Sequence, residues 1–158
     1  MIELKTSVLL AASLQMGAIL GGAGERNQQH LFEFGKNLGI AFQIQDDYLD
    51  AFGDPAKFGK QVGGDIKSNK KTFLLIKALE VATGDHQAKL QALLQGDPTD
   101  KVEQMLALYR STGVDRWAID LKEHYYQEAL QHLDAIAVLS SRKTALRDLS
   151  DFLIQREH

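Results

Sequence analysis

Apolar residues recur at three- and four-residue spacing along most of this chain, and no stretch alternates apolar with polar as a half-buried strand does. The pattern predicts a first helix from Lys5 to about Leu20, built on SVLLAASLQMGAIL and ended by the glycines of GGAGE. A second helix, long and rather apolar, is expected from about Asn27 to Phe52. TFLLIKALEVA predicts a third and HQAKLQALLQ a fourth, stopped by Gly-Asp-Pro. DKVEQMLALYR predicts a fifth, with Thr99 as its N-cap and Gly113 at its end. A sixth, amphipathic helix is expected from Val114 to about Leu139, and a last one over RKTALRDLSDFLIQRE. Pro55 and Pro98 both sit beside Asp and Gly in turn-like clusters. The expectation is a single all-α domain over 1–158, an antiparallel helix bundle with one long irregular loop after the second helix.

Composition narrows the class without identifying it. A chain of 158 residues, 44% hydrophobic and 25% charged, is the size and make-up of one globular domain. A formal net charge of -3 speaks against general nucleic-acid binding, which favours a basic surface. With no cysteine, a disulfide scaffold and any thiolate metal site are excluded. The run from Ser7 to Leu20 is too short to cross a bilayer and contains Ser13 and Gln15, so it is expected to be a buried helix. It lacks the basic leader and cleavage signal of a secretory peptide, and the expected location is cytoplasmic.

Chemistry concentrates in FQIQDDYLDAFGDPAKFGKQVGGDIKSNKKT, Phe42 to Thr72. On a helix Asp46 and Asp50 share a face, Asp47 lies about 100° round, and Gln43 extends the Asp46–Asp50 stripe. Acids in the last turn of a helix oppose the negative end of its dipole and repel one another, by a few tenths of a kcal/mol per pair. A bound cation would reverse that balance; the plain alternative is a solvated acidic helix end. As a metal site the motif suits Mg²⁺, which takes one or two carboxylates and keeps positions open for water and phosphate oxygens. The spacing is not that of an EF-hand.

Gly59-Lys60 and Gly63-Gly64 offer backbone N–H groups and positive charge to a phosphate. This is not a P-loop: five residues separate Gly53 from Gly59, Gln61 stands where Ser or Thr is required, and a helix precedes. Lys70 and Lys71 are expected at the start of the third helix, capped by Ser68 or Asn69, where the helix dipole disfavours cations. Simple solvation would explain that pair alone, but beside the upstream acids an anion held between Mg²⁺ and lysines explains it better. Lys5-Thr6 open the first helix, where a lone lysine is otherwise a snorkelling boundary residue. The five histidines show no metal-ligand spacing and Trp117 is expected to serve packing.

Taken together, Lys5-Thr6, FQIQDDYLD, GDP, Gly59-Lys60, GGDI, Asn69-Lys70 and the final FLIQREH resemble the trans-isoprenyl diphosphate synthase (polyprenyl synthetase) family, farnesyl and geranylgeranyl type. The resemblance implies the C-terminal half of an isoprenoid-synthase-type fold, since the family's first Asp-rich motif has no counterpart here. A truncated chain, a fragment or a split gene product would each account for that. It implies a Mg²⁺-dependent transferase that condenses an allylic diphosphate with isopentenyl diphosphate in isoprenoid biosynthesis. By the same resemblance Asp46 and Asp50 ligate Mg²⁺, with Asp47 flanking them or one shell out. Lys5 and Lys60 clamp the diphosphate, and Lys70 lies near the phosphate. The Thr6 hydroxyl and Gln43 amide oxygen face the allylic cation, and Phe42 lies near the second substrate's hydrocarbon.

Neutral dipoles such as Thr and Gln can stabilise a cation without trapping it covalently, and Leu9, Ala12, Met16 and Ile40 could wall a prenyl tail, though as single residues they read as core. The expectation is a farnesyl-type short-chain synthase by family, inactive as this chain alone. Exposed apolar faces would favour a homo-oligomer. The alternative is a non-catalytic interaction subunit of a heteromeric prenyl synthase; a terpene cyclase fits the GKQVGGDI stretch less well.

Overall fold

A computed structural model describes residues 6–54 and 62–155, the last without its side chain, and every described element is helical. Lys5 and Lys60 lie outside the described residues. In chain order the helices are α1 (Val8–Leu20), α2 (Glu25–Phe52), α3 (Gly64–Lys67), α4 (Phe73–Val81), α5 (Gly84–Gln95), α6 (Lys101–Ser111), α7 (Val114–Ala135) and α8 (Thr144–Gln155). A 3₁₀ turn, Ser140–Arg142, precedes α8. Seven of these answer the seven periodic segments of the sequence. The eighth, α3, is a single turn inside the stretch expected to be an irregular loop. No described helix is long and apolar enough to cross a membrane.

The chain divides into two compact units, residues 6–43 with 121–155, and residues 44–54 with 62–120 among those described. The first unit has a core of Phe34, Leu38 and Ala41 from α2, Ala129 and Leu133 from α7, then Ile136 and, from α8, Ile154. Burying each large side chain of this kind contributes about 1.5–3 kcal/mol. Gly35 and Gly39 let α1 approach α2 closely. A Cβ on Gly39 would lie 2.7 Å from Ser7 Cα, and one on Gly35 2.9 Å from Ala11 Cα.

That contact covers only one side of α1. Ala11 and Ala18 are buried, whereas Leu9, Met16, Ile19 and Leu20 are 70%, 60%, 52% and 87% exposed. The expectation of a buried helix is therefore corrected. A helix apolar around its whole circumference can pack only the side that small residues admit, and here the rest faces outward.

Polar ties hold the rim of the first unit. The Ala137 N–H donates to Asn27 Oδ1 at 3.0 Å, Lys143 Nζ to the Asp134 carbonyl at 2.7 Å, and the Tyr126 hydroxyl to Asp151. Arg147 pairs with Asp134. His30 and His132, 102 residues apart in sequence, bring their Nδ1 atoms to 3.2 Å.

In the second unit α3 and α5 pack on α6. Its buried side chains include Ile44, Leu74, Leu90, Met105, Leu108 and Tyr109. At the end of α2, Phe52 stacks against Tyr48 at 5.0 Å and takes the Arg110 guanidinium at 5.4 Å from its ring centre. Lys77 Nζ of α4 lies 5.1 Å from the ring centre of Trp117.

Four of the helix boundaries that differ from expectation are the starts of α4, α6 and α8 and the end of α7. Thr72, not Ser68 or Asn69, caps α4, its Oγ1 accepting from the Leu75 N–H at 3.2 Å. Ser68 Oγ instead donates back to the Gly64 carbonyl, and Asn69 takes a left-handed φ of 51°. Lys70 and Lys71 thus precede α4 rather than open it. Asp100, not Thr99, holds the N-cap position of α6, without a side-chain cap bond. The sixth expected helix stops at Ala135, short of Leu139, and the last begins at Thr144 rather than Arg142.

Candidate functional site

The acids of the second unit sit on the last turns of α2, and the backbone that follows straps them down. The Gly63 N–H donates to the Asp50 carbonyl at 2.6 Å, and the Asp65 N–H to Asp50 Oδ2 at 2.9 Å. Gly63 makes this return possible. Its φ of 83° is left-handed, and a Cβ there would lie 2.5 Å from a Val102 methyl. Asp65 stands in the first turn of α3, where its N–H has no helical partner and is available to a carboxylate.

Asp47 is turned inward, 2% exposed. Its Oδ2 accepts from the Phe73 N–H at 3.2 Å, so an acid of α2 supplies a cap to α4. Its Oδ1 lies 3.6 Å from Lys70 Nζ, which also meets Asp65 Oδ2 at 2.5 Å. Asp46 and Asp50 are half-buried, on the shared face their spacing requires. Burial pushes the Asp50 carboxyl above the usual carboxylate range; the Asp65 N–H opposes that, the Asp65 charge adds to it, Lys70 opposes it, and Asp46 adds to it. Burial pulls the Lys70 amine down, but its hydrogen bond to Asp65 and the charges of Asp47, Asp65 and Asp46 outweigh this and hold it above the ordinary lysine value.

These residues fit a hard divalent cation in donor chemistry. Asp46 and Asp50 offer carboxylate oxygens on one helix face, and the charges of Asp65 and Asp46, which add to the burial that raises Asp50, are what such an ion would offset. Among the described residues no group of three or more His, Cys, Asp or Glu is placed to hold a metal by itself. Mg²⁺ takes one or two carboxylates and completes its shell with water and phosphate oxygens.

In the first unit the Thr6 hydroxyl points at Gln43 Oε1 across 3.4 Å, so two of the residues expected to act as neutral dipoles are brought together. Phe42 is half-buried against the Phe34–Leu133 core, and Ile40 is buried, whereas Leu9 and Met16 are exposed. Asp65 had no role in the sequence reading. Its signal was available within GGDI, an acid five residues before a lysine, but a turn that folds this pair together is not readable from spacing.

Residues 1–111 match the family model described as Polyprenyl synthetase. The chain is 34% identical over 158 residues to the Short chain isoprenyl diphosphate synthase of Methanothermobacter thermautotrophicus, covering 100% of this chain and 48% of that protein. It is 33% identical over 160 residues to Heptaprenyl diphosphate synthase component 2 of Geobacillus stearothermophilus, covering 99% of this chain and 48% of that one. The crystal structure of geranylgeranyl pyrophosphate synthetase from Pyrococcus horikoshii superposes with a TM-score of 0.91 at 31% identity, over 99% of this chain and 47% of that one. The chain spans about half the length of the curated relatives it matches. On a family match over most of its length and relatives at this identity, the chain belongs to the polyprenyl synthetase family.

Proposed function

We propose that this chain is the C-terminal part of a Mg²⁺-dependent prenyltransferase that condenses an allylic diphosphate with isopentenyl diphosphate, and that alone it is inactive. The observation that carries the reading is the end of α2, where Asp46 and Asp50 share a face and the Gly63–Asp65 backbone fixes Asp50. Asp46 and Asp50 would hold the ion, with Asp47 supporting them through its bonds to Phe73 and Lys70. Mg²⁺, when bound, would offset the negative charge that develops on a leaving diphosphate. Lys5 and Lys60 clamp the diphosphate in this reading, as cations complementary to phosphate oxygens.

The Thr6 hydroxyl and Gln43 amide oxygen act as fixed dipoles toward the allylic cation formed when the C–O bond ionises. Phe42 supplies apolar surface toward the second substrate. The farnesyl-type expectation widens to the short-chain class, because the matched proteins bear short-chain and geranylgeranyl names. A single domain over 1–158, a cytoplasmic setting and self-association through the exposed face of α1 complete the reading.

The test is binding of Mg²⁺ and inorganic diphosphate by calorimetry, beside a prenyl-transfer assay of the same 158-residue chain. Expected are Mg²⁺-dependent diphosphate binding that Asp50→Asn weakens by about tenfold or more, and no prenyl transfer. Turnover by the chain alone would overturn its proposed inactivity.

A second reading is favoured by the similarity to a protein named as component 2 of a synthase: the chain serves as a non-catalytic interaction subunit of a heteromeric enzyme. Mixing with a candidate partner discriminates. Activity regained with wild type and lost with Asp50→Asn supports a catalytic contribution, and activity regained equally with both supports an interaction role.

A further inference from the structure

We propose that Lys70, held by Asp65, serves the acidic end of α2 as its counter-ion and positioning residue, rather than as a contact to diphosphate. The inference rests on the site reading given above and departs from the phosphate role that resemblance implies for Lys70.

The Lys70 side chain is 49% exposed, yet its ammonium faces two carboxylates. Lys70 is tied to Asp65 twice, its own N–H donating to the Asp65 carbonyl at 3.0 Å and its Nζ meeting the Asp65 carboxylate at 2.5 Å. The second neighbour of the ammonium is Asp47 Oδ1 at 3.6 Å, on a side chain 1% exposed. A buried carboxylate is costly unless it is paired and hydrogen-bonded. Here one oxygen accepts from the Phe73 N–H while the other faces Lys70. Asn69 at φ 51° and the N-cap Thr72 fix the backbone on either side of Lys70. Swinging Nζ out to a phosphate would break the Asp65 pair and withdraw positive charge from the buried Asp47. Asp65 therefore joins both parts of the motif, with its N–H on Asp50 and its carboxylate on the lysine that serves Asp47.

A counter-ion competes with a metal for the same negative charge; a phosphate ligand assists metal-bound diphosphate. The experiment measures binding of Mg²⁺ alone, and of inorganic diphosphate at saturating Mg²⁺, for the full chain as wild type, Lys70→Met and Asp65→Asn. Thermal melting of these three and the double variant is followed in chelator. Removing the positive charge should tighten Mg²⁺ binding by roughly tenfold and leave diphosphate affinity within about twofold. In chelator the two single substitutions should be non-additive, the double variant melting no lower than the weaker single, because both remove the Lys70–Asp65 pair.

A diphosphate affinity that falls by about tenfold in Lys70→Met with Mg²⁺ binding unchanged overturns the proposal and leaves the site reading standing. If wild type binds neither Mg²⁺ nor diphosphate, the site reading fails. The melting cycle then decides alone, with non-additivity supporting the counter-ion role and additivity overturning it.

Discussion

The part of α2 that lies in each unit is fixed by a different kind of interaction. In the first, α1 meets α2 where two glycines remove side chains, and a cluster of Phe, Leu, Ile and Ala fills the space between α2, α7 and α8. In the second, the end of α2 is fixed by a helix cap, a left-handed glycine and a lysine between two carboxylates. Volume decides the first arrangement and charge and backbone hydrogen bonds decide the second. A packed apolar contact has no charge for salt to screen and no proton to titrate, whereas a charged one answers to both. A site meant to respond to a cation belongs in the second kind of surroundings.

The contrast can be broken first on the side of volume. Gly39→Val places side-chain atoms where Ser7 backbone stands 2.7 Å from the new Cβ, and should cost about 3 kcal/mol in urea unfolding, with little dependence on salt. Gly17→Ala is the matched control, since nothing lies within 4 Å of its Cβ; it should stabilise by about 0.5–1 kcal/mol through helix propensity. On the other side, Thr72→Ala removes the cap on α4 and should cost about 1 kcal/mol. Hydrogen exchange of the same variant should show weaker protection of the α4 amides.

The smallest effect sharpens the comparison by finding charge in the first unit. Burial first, then the hydrogen bond to Asp151 and the charges of Asp151 and Glu123, push the Tyr126 phenol up to about 12, against a lowering by Arg147. Its folded value lies above its unfolded value, so this contribution to stability is complete below pH 10 and is lost as pH rises through about 12. A phenolate absorbance titration should lose its component near the upper end of that window in Tyr126→Phe.

Much of this was legible in the sequence, and the parts that were not share a cause. Periodicity found the seven longer helices, because each buries one side and that side has a period. It could not tell which side of α1 is covered, since an all-apolar helix carries no directional signal. The cap of α4 is Thr72 and not Ser68 or Asn69, residues of similar capping chemistry that the left-handed turn at Asn69 sets apart from the helix start. The Asp46–Asp50 face follows from helical spacing alone. The inward turn of Asp47 and the role of Asp65 depend on a chain reversal at Gly63 that sequence spacing does not encode. His30 and His132 meet across 102 positions, beyond the reach of any local pattern.

The tryptophan beside Lys77 gives the molecule its own optical reporter. Trp117 is the chain's single tryptophan, and its ring faces the ammonium of a residue on the helix that Asp47 caps. Events at the acidic turn that shift α4 therefore reach an emitting group with no label attached. Unmodified protein in a fluorimeter, titrated with magnesium salts, is enough to follow them.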